Sequence, residues 1–154
     1  MGRILAIDYG EKRVGLALSD PDRMIAVPFE LLVRTNLATD IARIVTIIDE
    51  QRVDALVAGK PLHSHGAPSE MVQRVETFVT LIVAQRRLPV HWIDEGYTSI
   101  EADEILRLHS RDWRKRKAKV DMVAAQIILR VYLESLPKHG RPEDRDPYRH
   151  SDDP

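Results

Sequence analysis

The sequence predicts one α/β domain. Its core would be a mixed five-stranded sheet, three strands antiparallel and two parallel, with helices on both faces. Two observations carry that prediction. Apolar runs of strand length stand at residues 3–8, 14–19 and 25–33, separated only by short polar turns, the pattern of consecutive antiparallel strands. Beyond residue 36, segments of helical period alternate with short apolar runs, as in parallel βα units. The 154 residues, 44% of them hydrophobic and 31% charged, fit a single domain with a real core.

The elements follow in order. RILAID (3–8) is apolar on both alternating faces, which suits a strand buried on both sides. VGLALS (14–19) follows a turn containing Gly10, and the pair reads as a hairpin. The third run, 25–33, contains Pro28, which removes a ladder donor and points to an edge or a bulge. Asn36 can cap a helix whose apolar residues are Leu37, Ile41, Ile44, Val45 and Ile48. Residues 55–58 form a short buried strand, and GKPLHSHGAP reads as a loop. Residues 69–86 have helical period, and 90–93 form a strand leading into DEGYTS. Thr98 and Glu101 fit a capping box opening a helix to about His109. SRDWRKRKAK reads as a polar connection, and residues 120–136 as the last helix. The folded domain is therefore expected over 1–136. Residues 137–154 are polar and rich in proline, and are expected to form a disordered tail.

Several classes are excluded. With no cysteine there is no disulfide scaffold, thiolate metal site or cysteine nucleophile. No apolar run approaches the roughly 18 residues of a bilayer span, and the first residues do not read as a signal peptide. A cytoplasmic protein with no membrane partner is expected. The net charge of −1 hides a basic stretch: Arg107 to Lys119 holds seven Lys or Arg against one Asp.

Three carboxylates stand in unusual places. Asp8 ends the first strand, and in α/β sheets ligands gather beyond the strand carboxyl ends. It also suits a turn in which the side chain bonds its own backbone. Glu95 follows the strand 90–93; adjacent to Asp94, it points to the opposite face in extended chain. Either acid also suits a solvated loop. Asp121 shares a helical face with Ala124, Ala125 and Ile128, and an acid on an apolar stripe is costly to bury unless paired or bound to a cation. Alternatively it is the N-cap of that helix. The small Ala124–Ala125 pair would let the helix approach the sheet closely. Three converging carboxylates repel one another, and a hard divalent cation such as Mg²⁺ or Mn²⁺ resolves that repulsion. Two such ions support phosphodiester hydrolysis.

The stretches ILAIDYGEKRVGLALSDP, VAGKPL, LPVHWIDEGYTS and RKRKAKVDMVAAQIILRVYLES resemble the YqgF/RuvX-like family, from about Arg3 to Leu136. The resemblance implies an RNase H-like fold. It implies a metal-dependent nuclease that processes the 5′ end of pre-16S rRNA, with a ribosomal subunit as a further partner. Alternatives are a Holliday junction resolvase acting on branched DNA, which needs a homodimer rather than a monomer, and a non-catalytic nucleic-acid-binding assembly factor. Carried over by position, the catalytic and metal-holding acids are Asp8, Glu95 and Asp121. The family commonly has Arg after the second acid; here Gly96 stands there.

The resemblance implies that the Gly-flanked turn lies beside the metal site, so nucleic-acid contacts are expected from Lys12 and Arg13, although the same charges suit a solvated hairpin turn. They are expected too from Arg111, Trp113, Arg114, Lys115, Arg116 and Lys117, where cations meet phosphates and an aromatic stacks on a base. Lys60 is a further candidate cation, although a solvated loop position suits it better. His63 and His65 suit either that loop's solvated surface or a metal or proton role. Asp20 reads as a structural turn residue, and Trp92 as core.

Overall fold

The computed structural model describes residues 2–60, 69–94 and 113–137. Five strands, β1 (Arg3–Asp8), β2 (Arg13–Ser19), β3 (Ala26–Val33), β4 (Val53–Lys60) and β5 (Val90–Asp94), form one sheet in the order β3-β2-β1-β4-β5. β1 pairs antiparallel with β2, and β2 with β3; β1 pairs parallel with β4, and β4 with β5. This is the mixed sheet the sequence predicts. Pro28 lies on the edge strand, next to a register shift between Leu16 and Ala17 of the partner strand.

Three helices are described: α1 (Leu37–Glu50), α2 (Ser69–Gln85) and α3 (Trp113–Ser135). Asn36 caps α1, its side-chain oxygen accepting the Thr39 N–H at 2.9 Å. β1 is buried on both sides, and its alternation separates two cores. Leu5 and Ile7 face α1 and α2, in a core with Ile44, Ile47, Phe78 and Ile82. Ile4 and Ala6 face α3, with Ala17, Ala55, Val57, Ala125, Ile128 and Leu129. Most of the sheet residues of this second core are alanine or valine, so the helix backbone comes close. Every buried side-chain polar atom among the described residues has a hydrogen-bond partner. No helix among them is long and apolar enough to cross a membrane.

Two boundaries differ from expectation. β4 runs on to Lys60, so Gly59 and Lys60 belong to the strand and not to the loop. α3 begins at Trp113, so residues 113–119 form its first two turns and not a connection. That stretch lacks the apolar periodicity that marks a helix, yet it consists of Lys, Arg, Ala and Trp with no breaker, and most of these are strong helix formers. The capping box at 98–101 and the tail beyond Pro137 lie outside the described residues.

Asp20 is structural, as its sequence context suggests. Its Oδ1 accepts the N–H groups of Met24 at 2.7 Å and Ile25 at 2.9 Å, closing the β2–β3 turn. Partial burial pushes its pKa up, but the backbone donors, led by Ile25 and Met24, together hold it below the ordinary carboxylate value. A lowered folded pKa contributes stability above the unfolded value of about 3.9, and that contribution is lost as pH falls through the folded value. At neutral pH, Asp20→Ala should cost about 1 kcal/mol, less than the usual value for a charged acceptor because these bonds are solvent-exposed. The gap between variant and wild type should narrow below about pH 4. Urea titrations at pH 7 and pH 3 check both.

Candidate active site

Because β1, β4 and β5 are parallel, their carboxyl ends share one edge of the sheet, which holds Asp8, Lys60 and Asp94. Asp8 ends β1, half-buried, and pairs across the ladder with Gly15 of β2. By the alternation that puts Ile4 and Ala6 against α3, Asp8 belongs to the α3 face. The opposite phase holds Tyr9, which packs with the core of α1 and α2. In β5, Trp92 packs with that core and Ile93 with the α3 core. Asp94 is thus in phase with Trp92, and the sequence puts position 95 in phase with Ile93. Glu95 itself lies outside the described residues.

Asp121 lies within α3, eight residues after its start, so the N-cap alternative is excluded. It stands one turn before Ala125, which is fully buried against the sheet. Two contacts pin the second half of the helix. Gln126 donates to the Ala26 carbonyl at 2.9 Å, and the Tyr132 ring stacks on His91 with centroids 4.6 Å apart. Both partners sit at the amino ends of their strands. An acid in a helix interior is a poor helix former, and by its sequence spacing Asp121 is in phase with Ala124, Ala125 and Ile128, which are buried. Among the described residues, no three His, Asp or Glu side chains gather as a metal site.

The expected cations fare differently. Lys12 is exposed in the β1–β2 turn, and Arg13 opens β2 half-buried. Lys60 is engaged on two sides: its Nζ lies 3.9 Å from the Trp92 ring centre and 2.9 Å from Glu76 Oε1. This is not the solvated loop position, since strand pairing orders the backbone here. Trp113, Arg114, Lys115, Arg116 and Lys117 occupy the first turns of α3. Arg111, His63, His65 and Gly96 lie outside the described residues. A Cβ at Gly10 would stand 2.4 Å from the Arg13 carbonyl oxygen, so the turn itself requires glycine there.

Arg34 and Asp40 carry no distinctive mark in the sequence. Asp40 is 1% exposed and pairs with Arg34, whose guanidinium reaches the β1–β2 turn. The sequence signal is only an Arg-Thr-Asn segment before a helix with an acid in its first turn, which reads as an ordinary start.

Residues 2–135 match the family model described as RuvX, Holliday junction resolvase. The chain belongs to the RuvX family. The match ends where α3 ends. A relative from Koribacter versatilis, provisionally named a pre-16S rRNA nuclease, is 38% identical over 133 residues, covering 86% of this chain and 87% of its own length. One from Burkholderia pseudomallei, with the same name, is 39% identical over 136 residues, covering 88% and 90%. Among solved structures, Thermus thermophilus RuvC in complex with a Holliday junction substrate superposes with a TM-score of 0.58 at 12% identity, covering 88% of this chain and 98% of that one. The fowlpox virus Holliday junction resolvase gives 0.52 at 19% identity, covering 87% and 99%. At such identities the likeness concerns the fold, which is RNase H-like as the sequence resemblance implies. The RuvX chain described here shares its sheet order and its parallel and antiparallel mix with that fold.

The close seating of α3 is testable. Ala125→Leu adds bulk where the helix meets Ala6, Ala17 and Ala55, and overpacking there should cost about 1–3 kcal/mol. Val131, on the same helix, is exposed, and Val131→Leu should change stability by less than about 0.5 kcal/mol. Urea denaturation of the two variants measures the contrast.

Proposed function

We propose that this chain is a Mg²⁺- or Mn²⁺-dependent nuclease that processes the 5′ end of pre-16S rRNA during ribosome assembly in the cytoplasm. Asp8, Glu95 and Asp121 would hold the metal ions. The observation that carries this reading is the position of Asp8: a half-buried acid at the carboxyl end of the central strand, on the face that α3 covers. The sequence phase of Glu95 and the spacing of Asp121 support placing both acids on that same face.

The donor set suits the ion. All three groups offer hard oxygen ligands, and the chain has no cysteine to favour a softer metal. When bound, such an ion activates water and stabilises the leaving oxygen of a phosphodiester. The chain's own residues do the rest. Asp8, fixed by strand pairing, sets the position of the carboxylate cluster. Lys12 and Arg13 meet the backbone phosphates beside it. The cations of residues 111–117 bind the flanking strand, with Trp113 available to stack on a base. Cations in the first turn of a helix oppose its dipole at a cost of roughly 0.3–1 kcal/mol each at low salt, a cost that bound phosphate offsets. Lys60, held over Trp92 and paired with Glu76, stands at the same strand ends but on the α1 and α2 face, so it does not replace the Arg that Gly96 lacks.

The names of the curated relatives favour pre-rRNA as substrate. A second reading, resolution of Holliday junctions by a homodimer, is favoured by the family description and by the RuvC complex. A third, binding without cleavage, follows from Gly96.

Labelled pre-16S rRNA and a four-way DNA junction, each with Mg²⁺, Mn²⁺ or EDTA, decide among them. The expected result is RNA cleavage that EDTA and Asp8→Ala both abolish. Cleavage that persists in EDTA or in Asp8→Ala overturns the metal site; paired cuts confined to the junction select the resolvase; binding alone selects the assembly factor. In a separate binding series on duplex substrate, the double variant Arg114→Ala, Arg116→Ala should lower the slope of log affinity against log salt by about 2. An unchanged slope removes these residues from the interface.

A further inference from the structure

We infer that Arg34 is a positioning residue for Asp8: it locks the β1–β2 turn that directly follows the acid, and the buried Asp40 holds Arg34 in place. The inference rests on the reading of Asp8 as part of a nuclease site.

Arg34 leaves the end of β3 and meets the turn at three points. Its backbone N–H donates to the Lys12 carbonyl at 3.0 Å. Its Nη1 donates to the Tyr9 hydroxyl at 2.7 Å and to the Gly10 carbonyl at 3.3 Å. The guanidinium also lies 4.9 Å from the centre of the Tyr9 ring and 5.5 Å from that of Phe78, while the two rings stand 5.1 Å apart. Its Nε donates to Asp40 Oδ2 at 3.3 Å. Asp40 Oδ1 accepts from the Thr35 backbone N–H at 3.2 Å and from the Thr35 hydroxyl at 3.4 Å.

The arrangement is expensive for an ordinary turn. The side chains of Arg34 and Asp40 are only 17% and 2% exposed, and ions removed from water regain that cost only when geometry and hydrogen bonds are both satisfied. A packed apolar pair would hold a turn as stably. What the ion pair adds is direction: a rigid fork with fixed donors sets where Tyr9 and Gly10 stand. Tyr9 is covalently next to Asp8 and lies on the opposite face of the strand. Locking Tyr9 from behind therefore fixes the backbone from which the Asp8 carboxylate projects. From the α2 side, Arg74 pairs with Glu11 of the same turn and, at 2.7 Å, with Glu70. A displacement of about 1 Å in a group of this kind can cost on the order of a hundredfold in rate.

The test compares wild type, Arg34→Ala, Arg34→Lys and Tyr9→Phe as full-length proteins. Amide hydrogen exchange follows residues 9–12, and cleavage kinetics on pre-16S rRNA and the four-way junction follow activity across a Mn²⁺ titration. Arg34→Lys keeps a cation beside Asp40, and Tyr9→Phe strands no buried charge, so both fold if Arg34→Ala does not. Arg34→Lys should melt below wild type yet stay fully folded at the assay temperature, exchange faster at 9–12 and lose about tenfold in kcat with KM unchanged. Tyr9→Phe should lose about threefold in the same way. Higher Mn²⁺ should recover part of each loss, which a loss of folded protein would not permit. An active wild type with equally active Arg34→Lys and Tyr9→Phe removes the positioning role and leaves the nuclease standing. So does a loss confined to melting temperature. A wild type inactive on both substrates at every metal concentration removes the nuclease reading, and the positioning role falls with it.

Discussion

Strand β1 has no solvent face. Ile4 and Ala6 lie against α3, while Leu5 and Ile7 lie against α1 and α2. A slip of one residue would drive Ile7 into the narrow gap that Ala125 shares with Ala17 and Ala55, and would turn every side chain to the other side. Burial on both faces therefore excludes the slipped register, and with it any ambiguity about the side to which Asp8 belongs. The parallel pairing of β4 and β5 then brings Lys60 and Asp94 to the same edge.

The two faces differ in spacing. Toward α1 and α2 the sheet presents large side chains such as Leu16 and Leu56, which meet Phe78 and Ile82. Toward α3 it presents Ala6, Ala17 and Ala55. The thin side is the side on which the three acids are proposed to meet. Small residues there let a helix backbone approach closely, and close approach is what short carboxylate side chains need to share a cation. The thick side anchors instead, and it is from that side that Tyr9 and Arg34 hold the turn.

The strands and the fold class were legible because apolar runs, glycine turns and an edge proline each leave a local mark. Asp8 was legible because a strand's last residue is easily found. The start of α3 was not: its first turns are basic and carry no apolar period, so only the absence of a helix breaker hinted at them. Lys60 was not, because a strand's last pair extends beyond its apolar run into residues that also suit a loop. Arg34 and Asp40 were least visible. Their meaning depends on Tyr9, some 25 residues earlier in the chain than Arg34, and on Phe78, contributed by α2. A helix-opening acid usually faces water, and only the packed structure reveals that Asp40 does not.

The place of α3 after all five described strands has a consequence for how the protein is made. A nascent chain that has left the ribosome only as far as β5 can pair all five strands and cover one side of the sheet with α1 and α2. Among the described elements, the other side, with Ile4, Ala6, Ala17, Ala55 and Val57, is covered by α3, which emerges last. Asp8 is synthesised long before Asp121 can join it. Hydrolytic competence in the proposed site would thus be withheld until the sheet is complete, and would arrive together with the helix that covers its second face.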